Sequence, residues 1–194
     1  MILNETNLKY LIKRILIESN NQELDIFYHE NNIDPDNLSY LGKGDFGTAY
    51  SIGDGRVLKI TGSKSEFEIA KKLENNTAPV FNAFAKIFKT HVIGYNMYII
   101  QEELYEDSNI ENLYYQLEDM LSEQGLPIQY LNMLDTDEFE VSDEMVKFMD
   151  EIDDINRAYR ALGIEASDIK PDNMGYNKEG RLKAFDIEDR QLNH

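Results

Sequence analysis

The stretch "SDIKPDNMGYNKEGRLKAFDIED", residues 167–189, decides the fold that this sequence predicts. It places Asp168, Lys170 and Asn173 on a loop that contains proline, and Asp186 follows thirteen positions after Asn173. Thirteen positions accommodate two short strands joined by a turn at "NKEG", and such a hairpin would return Asp186 to the side of Asn173. Four polar side chains on one loop and one hairpin therefore predict a functional site.

A glycine-rich segment, "GKGDFG", forms a second motif, in which Gly42, Gly44 and Gly47 fit G-x-G-x-x-G and Phe46 lies near the tip. The motif alone is weak, because hairpins also use glycine for turns that bind nothing. Apolar and polar residues alternate on both sides of it. The glycines are therefore predicted to join two antiparallel strands, rather than the strand and helix of a dinucleotide site. Lys59 lies near the end of the third predicted strand, "VLKI".

The next segment, "SKSEFEIAKKLEN", predicts a helix that offers a carboxylate to Lys59. Glu66 shares the inward stripe of this helix with Ile69, whereas Glu68 lies on the polar face. Glu66 is therefore the preferred partner of Lys59. The alternative is a capping box, because Ser63 and Glu66 also fit S-x-x-E at a helix start.

Together these motifs resemble the protein-kinase-like superfamily, and the resemblance covers residues 38–189. The spacing from Asp168 to Asn173 matches the catalytic loop of that superfamily, and Lys170 followed by proline matches its Ser/Thr variant. The resemblance implies that Asp168 orients or deprotonates an acceptor hydroxyl and that Lys170 offsets charge on the transferred phosphoryl group. It also implies that Asn173 and Asp186 bind Mg²⁺, with Mn²⁺ as an alternative ion.

The same resemblance implies an ATP site. The backbone amides of the glycine segment would close over the phosphates, with Lys59 at the α/β-phosphates and Glu66 holding the lysine. The segment "QEELY", which starts at Gln101, matches the linker that binds adenine. Gln101 would be the gatekeeper position, and backbone groups from Glu102 to Leu104 would hold the base.

The sequence also departs from the family in three places. Where kinases have H-R-D it has "ASD" at 166–168, and where they have D-F-G it has "DIE" at 186–188. The sequence ends at His194, so the activation segment, A-P-E and the later peptide-docking helices are not expected. Regulation by activation-loop phosphorylation is therefore not expected either. An acceptor would have to be chosen by other surfaces.

The expected fold class is α+β, in a two-lobed arrangement like that of protein kinases. Residues 1–37 are predicted as an N-terminal helical extension and linker, and residues 38–104 as an N-lobe with an antiparallel sheet and one helix. Residues 105–194 are predicted as a reduced, mainly helical C-lobe with helices over 108–124 and 142–162. This lobe would carry the catalytic loop and the metal-binding hairpin.

Composition limits the partners. Asp and Glu outnumber Lys and Arg by 37 to 19, which gives a formal charge of −18 and predicts neither a nucleic-acid nor a membrane partner. The sequence has no cysteine and no apolar run long enough to cross a bilayer. A cytoplasmic protein is expected, or one delivered into a host cytoplasm if it is a phage or bacterial effector.

Two charged helices offer surfaces for a partner. The segment before residue 30 has an apolar stripe flanked by Lys9, Lys13 and Arg14, and the segment 142–162 is strongly acidic. Either helix could pack on the domain or face solvent, or it could dock a partner. Because the chain is acidic, a protein acceptor is expected to be a folded and basic one.

The favoured function is a minimal Ser/Thr-kinase-like enzyme that transfers the γ-phosphoryl group of ATP to an acceptor hydroxyl. One alternative is a pseudokinase that acts as a nucleotide-binding or protein-interaction module. Another is a phosphotransferase that acts on a small molecule. Six polar positions in the family order favour the enzyme, because loss of catalysis would be expected to erase some of them.

Overall fold

The computed structural model describes residues 5–137, 139–165 and 169–187, with side chains described from Glu18 onward. Within these ranges the protein has an α+β architecture, with a five-stranded antiparallel sheet, a two-stranded hairpin and four α-helices. The predicted α+β class is confirmed. No helix among the described residues is both long and apolar enough to cross a membrane.

The large sheet has the spatial order β1-β2-β3-β5-β4. Its strands are β1 (Ser39–Lys43), β2 (Gly47–Gly53), β3 (Arg56–Thr61), β4 (Ile87–Ile93) and β5 (Asn96–Glu102). The turn between β2 and β3 contains Asp54 and Gly55, both at positive φ, as a tight hairpin turn requires. The first three strands form the antiparallel meander that the alternating sequence predicts.

The α-helices are α1 (Glu5–Glu30), α2 (Lys64–Glu74), α3 (Ser108–Glu123) and α4 (Asp143–Leu162). Ser142 caps the start of α4 by accepting a hydrogen bond from the amide of Met145, and Gly163 ends it in the left-handed conformation. These two signals explain why the helix predicted over 142–162 is confirmed to within one residue. The helix predicted over 108–124 is likewise confirmed.

The last described elements are β6 (Met174–Tyr176) and β7 (Leu182–Ala184), which pair antiparallel. Asn177 organises their turn, because its side-chain oxygen accepts hydrogen bonds from the amides of Glu179 and Arg181 at 3.1 and 2.9 Å. Gly180 supplies the positive φ that the turn needs. The hairpin predicted at "NKEG" is confirmed.

Two apolar cores lie on opposite faces of the large sheet. The larger core joins α2, α3 and α4 to the sheet and the β6–β7 hairpin, with Leu117, Ile152 and Tyr159 almost fully buried. The smaller core lies under α1, where Phe27 packs with Tyr98. Leu24, Phe27 and Tyr28 of α1 therefore pack on the sheet, whereas most other described side chains of this helix are exposed. The side chains of the basic segment at 9–14 lie outside the described residues.

Glu151 on α4 is a partly buried acid that joins the helix to the hairpin. Its carboxylate accepts a hydrogen bond from the amide of Leu182 at 3.2 Å, and Lys147 lies 3.9 Å from the same oxygen. Burial is the largest influence and raises the pKa of Glu151, against the opposing effects of the Leu182 hydrogen bond and of Lys147. The acidic helix therefore contains at least one carboxylate that serves the fold.

The raised pKa predicts how stability depends on pH. An acid whose pKa is raised by folding contributes stability that is complete below its unfolded pKa and is lost as pH rises through its folded pKa. The free energy of unfolding of the wild type, taken relative to Glu151→Gln, should therefore fall over the pH range that begins at the unfolded pKa of a glutamate, about 4.3, and extends upward through the raised folded pKa. Chemical denaturation across this range measures it, with exposed Asp150→Asn as the control. Parallel pH profiles for the wild type and Glu151→Gln would contradict the prediction.

Candidate functional site

A cleft of about 1130 Å³ opens between the large sheet and the β6–β7 hairpin. Its volume is slightly above the range of about 300–1,000 Å³ that is usual for small-molecule sites. All the site residues that the sequence predicts, except Asp168, line it: Gly42, Gly44, Phe46, Gly47, Lys59, Glu66, Glu102, Leu104, Lys170, Asn173 and Asp186. Asp168 lies outside the described residues. The fold thus gathers distant segments of sequence around one space.

The glycine segment joins β1 to β2 and covers one side of the cleft. The amide of Gly44 donates to the carbonyl oxygen of Gly47 at 3.0 Å, and Phe46 is exposed at the tip. A Cβ atom at Gly47 would lie 2.5 Å from the carbonyl oxygen of Ile60, so packing against β3 requires this glycine. Gly42 and Gly44 have no neighbour within 4 Å of such an atom among the described residues, and neither has a positive φ.

Two of the three glycines are therefore not required by the fold. Neither backbone strain nor crowding explains Gly42 and Gly44, and both line the cleft. A bare backbone there allows a ligand to approach the main-chain amides closely, which side chains would prevent. The structure thus separates a structural glycine, Gly47, from two glycines that are available to a ligand.

An ionic cluster occupies the inner wall of the cleft. The ammonium group of Lys59 lies 2.5 Å from Oε1 of Glu66 and also contacts Oδ1 of Asp186. Register brings this about, because Lys59 pairs with Ala49 and Ile99 and so lies on the face of the sheet that carries α2. The predicted pairing of Lys59 with Glu66 is confirmed.

Glu66 is buried and uses both of its carboxylate oxygens. While Oε1 faces Lys59, Oε2 accepts a hydrogen bond from the hydroxyl of Thr61 at 2.7 Å. One of the two hydrogen bonds of the alternative capping box is present, because the side chain of Ser63 accepts a hydrogen bond from the amide of Glu66 at 3.2 Å. The amide of Ser63 donates to Thr61 instead of to Glu66. The Glu66 carboxylate is thus directed to the cleft.

Asp186 adopts an unusual backbone conformation. Its φ is +60°, in the left-handed region, where a residue other than glycine is strained by roughly 1 kcal/mol or more. The flanking residues impose this, because the amide of Phe185 donates to the carbonyl oxygen of Asn173 at 2.9 Å and Ile187 is buried in the larger core. Strain of this kind is typical of functional sites.

The loop before β6 supplies Lys170 and Asn173. A short 3₁₀ turn spans Pro171–Asn173, closed by a hydrogen bond from the amide of Asn173 to the carbonyl oxygen of Lys170 at 3.0 Å. Asn173 is buried and Lys170 is exposed, and both line the cleft. The residues at 166–168 and Glu188 lie outside the described part of the chain.

The segment after β5 forms the opposite wall. The amides of Glu102 and Glu103 donate to the carbonyl oxygens of Lys86 and Gly55, at 2.8 and 2.9 Å. The amide of Leu104 has no backbone acceptor within the described ranges, so it can donate to a ligand in the cleft. The hydrogen-bonding pattern of this segment thus leaves one main-chain donor available.

The side chain of Glu102 has a structural partner. Its carboxylate accepts hydrogen bonds from Lys183 at 2.7 Å and from the amide of Lys86 at 3.0 Å. Sequence reasoning missed Lys183, because a lysine between Leu182 and Ala184 in a short strand gives no sign of whether it is buried. The carboxylate and the amide of Glu102 are therefore both already engaged.

A divalent metal ion fits the donors that the loop and hairpin supply. Asn173 and Asp186 present amide and carboxylate oxygens to the same cleft, and the side chain of Asp186 is 40% exposed there. Hard oxygen donors of this kind suit Mg²⁺, which keeps several waters and shares the oxygens of bound phosphates. The described residues contain no cluster of three or more His, Asp or Glu side chains that would hold a metal alone. An ion here would therefore need ligands from a second molecule.

Comparisons with known proteins give no family. No protein-family model matches the sequence, and no curated protein is significantly similar to it. Function must therefore be inferred from the residues that line the cleft.

The glycine analysis predicts different costs for three similar substitutions. Gly47→Ala should lower the free energy of unfolding by about 2 kcal/mol, because the new Cβ atom forces the β2–β3 pair apart. Gly42→Ala and Gly44→Ala should change it by less than about 0.5 kcal/mol. Urea denaturation of the three variants tests this. Equal losses at all three positions would remove the distinction between structural and ligand-facing glycines.

The Lys183–Glu102 pair should stabilise the protein measurably. Lys183→Met leaves a mostly buried carboxylate without its cation, so we expect a loss of about 3 kcal/mol, part of which Glu102→Gln in the same chain should restore. Arg157→Ala is the control, since Arg157 pairs with Asp153 and Asp154 at the surface and should cost less than about 1 kcal/mol. The pair would have no structural role if Lys183→Met were as stable as Arg157→Ala.

Proposed function

We propose that the protein is an ATP-dependent phosphotransferase that passes a γ-phosphoryl group to an acceptor hydroxyl. The observation that carries this proposal is the cluster of Lys59, Glu66 and Asp186 in the same cleft as the glycine segment. These parts match the phosphate-binding lysine, its helix glutamate and the metal-binding aspartate of the family that the sequence resembles. We propose the two-lobed kinase-like fold on the same grounds, with the large sheet and α2 as the N-lobe.

The wall after β5 is suited to adenine. The amide of Leu104 is free to donate a hydrogen bond, while Glu102 and Glu103 are fixed by their own bonds to the sheet. A pair of hydrogen bonds between the main chains of Tyr105 and Tyr176, at 2.8 and 2.9 Å, holds this segment against the β6–β7 hairpin. A fixed donor lowers the entropic cost of binding a flat base.

The phosphates would lie under the glycine segment and beside Lys59. The Lys59 ammonium offsets phosphate charge, and Glu66 keeps its long side chain pointed into the cleft. Mg²⁺ held by Asn173 and Asp186 would supply further neutralisation of phosphate charge. Lys170, which lines the cleft, is suited to offset charge on the phosphoryl group as it transfers.

Asp168 is the residue proposed to orient or deprotonate the acceptor hydroxyl, by the family resemblance. In sequence, Asp168 follows α4 and directly precedes Ile169, where the described loop begins. Orientation of the acceptor within reach of the phosphoryl group accounts for a large share of catalysis in such reactions. Asp168→Asn should therefore remove transfer and spare nucleotide binding.

A folded, basic protein is the proposed acceptor. The net charge of −18 favours encounter with a basic partner, and Asp45, Glu103 and Glu106 add acidic groups to the lining of the cleft. The acidic helix α4 offers fewer carboxylates to a partner than its sequence suggests, because Glu151 is bound to the hairpin and Asp153 is paired with Arg157. Association with such an acceptor should weaken as salt is added.

Nucleotide binding tests the site directly. ATP with Mg²⁺ should raise the melting temperature, because a ligand at 100 times its Kd stabilises the native state by about 2.7 kcal/mol. Lys59→Met should abolish the shift. Lys89→Met is the matched control. Lys89 on β4 lies 3.5 Å from Glu74 of α2, the helix that also carries Glu66, but Lys89 is not among the residues that line the cleft. Equal ATP-induced shifts in both variants and the wild type would exclude Lys59 from the site.

Transfer distinguishes the enzyme from a nucleotide-binding module. The wild type incubated with γ-labelled ATP, Mg²⁺ and a lysate should label an acceptor, and Asp186→Asn and Asp168→Asn should not. Gly44→Ala should weaken ATP binding while remaining folded. Labelling that persists in Asp168→Asn would point to a contaminating kinase, and binding without labelling would favour the non-catalytic module.

A further inference from the structure

The loop that carries Lys170 is attached to α3 by one buried hydrogen bond. The hydroxyl of Tyr114 donates to the carbonyl oxygen of Ile169 at 2.7 Å, and both residues are buried. Ile169 lies between Asp168 and Lys170 in sequence, the two residues proposed to act on the acceptor and the phosphoryl group. A bond to this carbonyl therefore acts on the backbone that joins them.

The packing around Tyr114 does not explain its hydroxyl. The ring belongs to the larger apolar core, where phenylalanine would fill nearly the same volume. A buried hydroxyl requires a hydrogen-bond partner, and here that partner is the loop. Burial raises the pKa of Tyr114 to about 12, with smaller contributions from Glu118 and Tyr115, so the group stays protonated and donates throughout the neutral range.

The two ends of the loop are held from different sides. The amide of Phe185 donates to the carbonyl oxygen of Asn173 and fixes the end next to the hairpin. Tyr114 fixes the end next to α4, where the sequence has "ASD" and so offers neither the histidine nor the arginine of H-R-D. Ile169 is also buried in the larger core, so removing the Tyr114 hydroxyl should loosen this end of the loop while the end next to the hairpin stays bound.

We infer that Tyr114 is a positioning residue for phosphoryl transfer, which holds the backbone between Asp168 and Lys170 in its working position. The inference rests on the proposed function. In the proposed function the nucleotide is held by the glycine segment, Lys59, the wall after β5 and the Mg²⁺ ligands Asn173 and Asp186, whereas the Tyr114 hydroxyl binds the carbonyl oxygen of Ile169. The hydroxyl should therefore affect the chemical step rather than ATP binding. Misplacing reacting groups by about 1 Å reduces rates by up to roughly 100-fold.

The test compares Tyr114→Phe with Tyr115→Phe in the full chain. Tyr115 is the adjacent residue on α3, is half exposed, and its ring meets that of Tyr114 edge-on. The measurements are kcat and KM for ATP, and hydrogen exchange of the backbone amides of Lys170, Asp172 and Asn173. We expect Tyr114→Phe to lower kcat by roughly 10- to 100-fold with KM unchanged and to speed exchange in the loop. Tyr115→Phe should match the wild type in all three.

The outcomes distinguish a failure of the positioning role of Tyr114 from a failure of the proposed phosphotransferase function. Unchanged exchange in Tyr114→Phe, or faster exchange with unchanged kcat, would overturn the positioning role while leaving an active enzyme. A rise in KM equal to the fall in kcat/KM would also overturn it, because that pattern marks a binding defect. A wild type that transfers no phosphoryl group would refute the proposed function itself, and the positioning role with it.

Discussion

The ionic cluster of Lys59, Glu66 and Asp186 is the interaction on which the site depends. Its members come from β3, from α2 and from the residue pair that follows β7, so they meet only when the sheet, the helix and the hairpin are all in place. The Lys59 side chain is only 14% exposed, and an ammonium group so far removed from water is stable only with paired carboxylates. The fold thus concentrates charge at one wall of the cleft.

Backbone hydrogen bonds attach the β6–β7 hairpin to the sheet and to the segment after β5, which forms the opposite wall of the cleft. The main chains of Tyr105 and Tyr176 exchange hydrogen bonds, and the amide of Ala85 donates to the carbonyl oxygen of Ala184 at 2.8 Å. Together with the Lys183–Glu102 pair, these bonds attach both strands of the β6–β7 hairpin to the sheet side. Because Asp186 follows this hairpin directly, the same bonds set where its carboxylate lies relative to Lys59.

Sequence patterns predicted the features that depend on neighbouring residues, such as the ends of a helix and the face on which a side chain lies. The bounds of α4 follow from its cap at Ser142 and its stop at Gly163, and the choice of Glu66 over Glu68 follows from helical period. Contacts between distant segments could not be predicted in this way. Tyr114 and Ile169 are 55 positions apart, and no periodicity indicates that a core tyrosine should meet a loop carbonyl. The sequence likewise left open whether the basic amphipathic stripe before residue 18 packs on the domain, faces solvent or docks a partner, because such a stripe does not identify its partner.

The net charge poses the remaining physical problem, because a chain of charge −18 repels a nucleotide at long range. Screening limits this repulsion, since charges separated by more than about 10 Å interact weakly at 0.1 M salt. At short range the cleft offers Lys43, Lys59 and Lys170, and a partly buried ammonium such as Lys59 is screened much less. Salt should thus reduce the repulsion more than the attraction. The cleft thus places cations at short range in a protein whose long-range field is negative, and that same field would favour the basic acceptor proposed above.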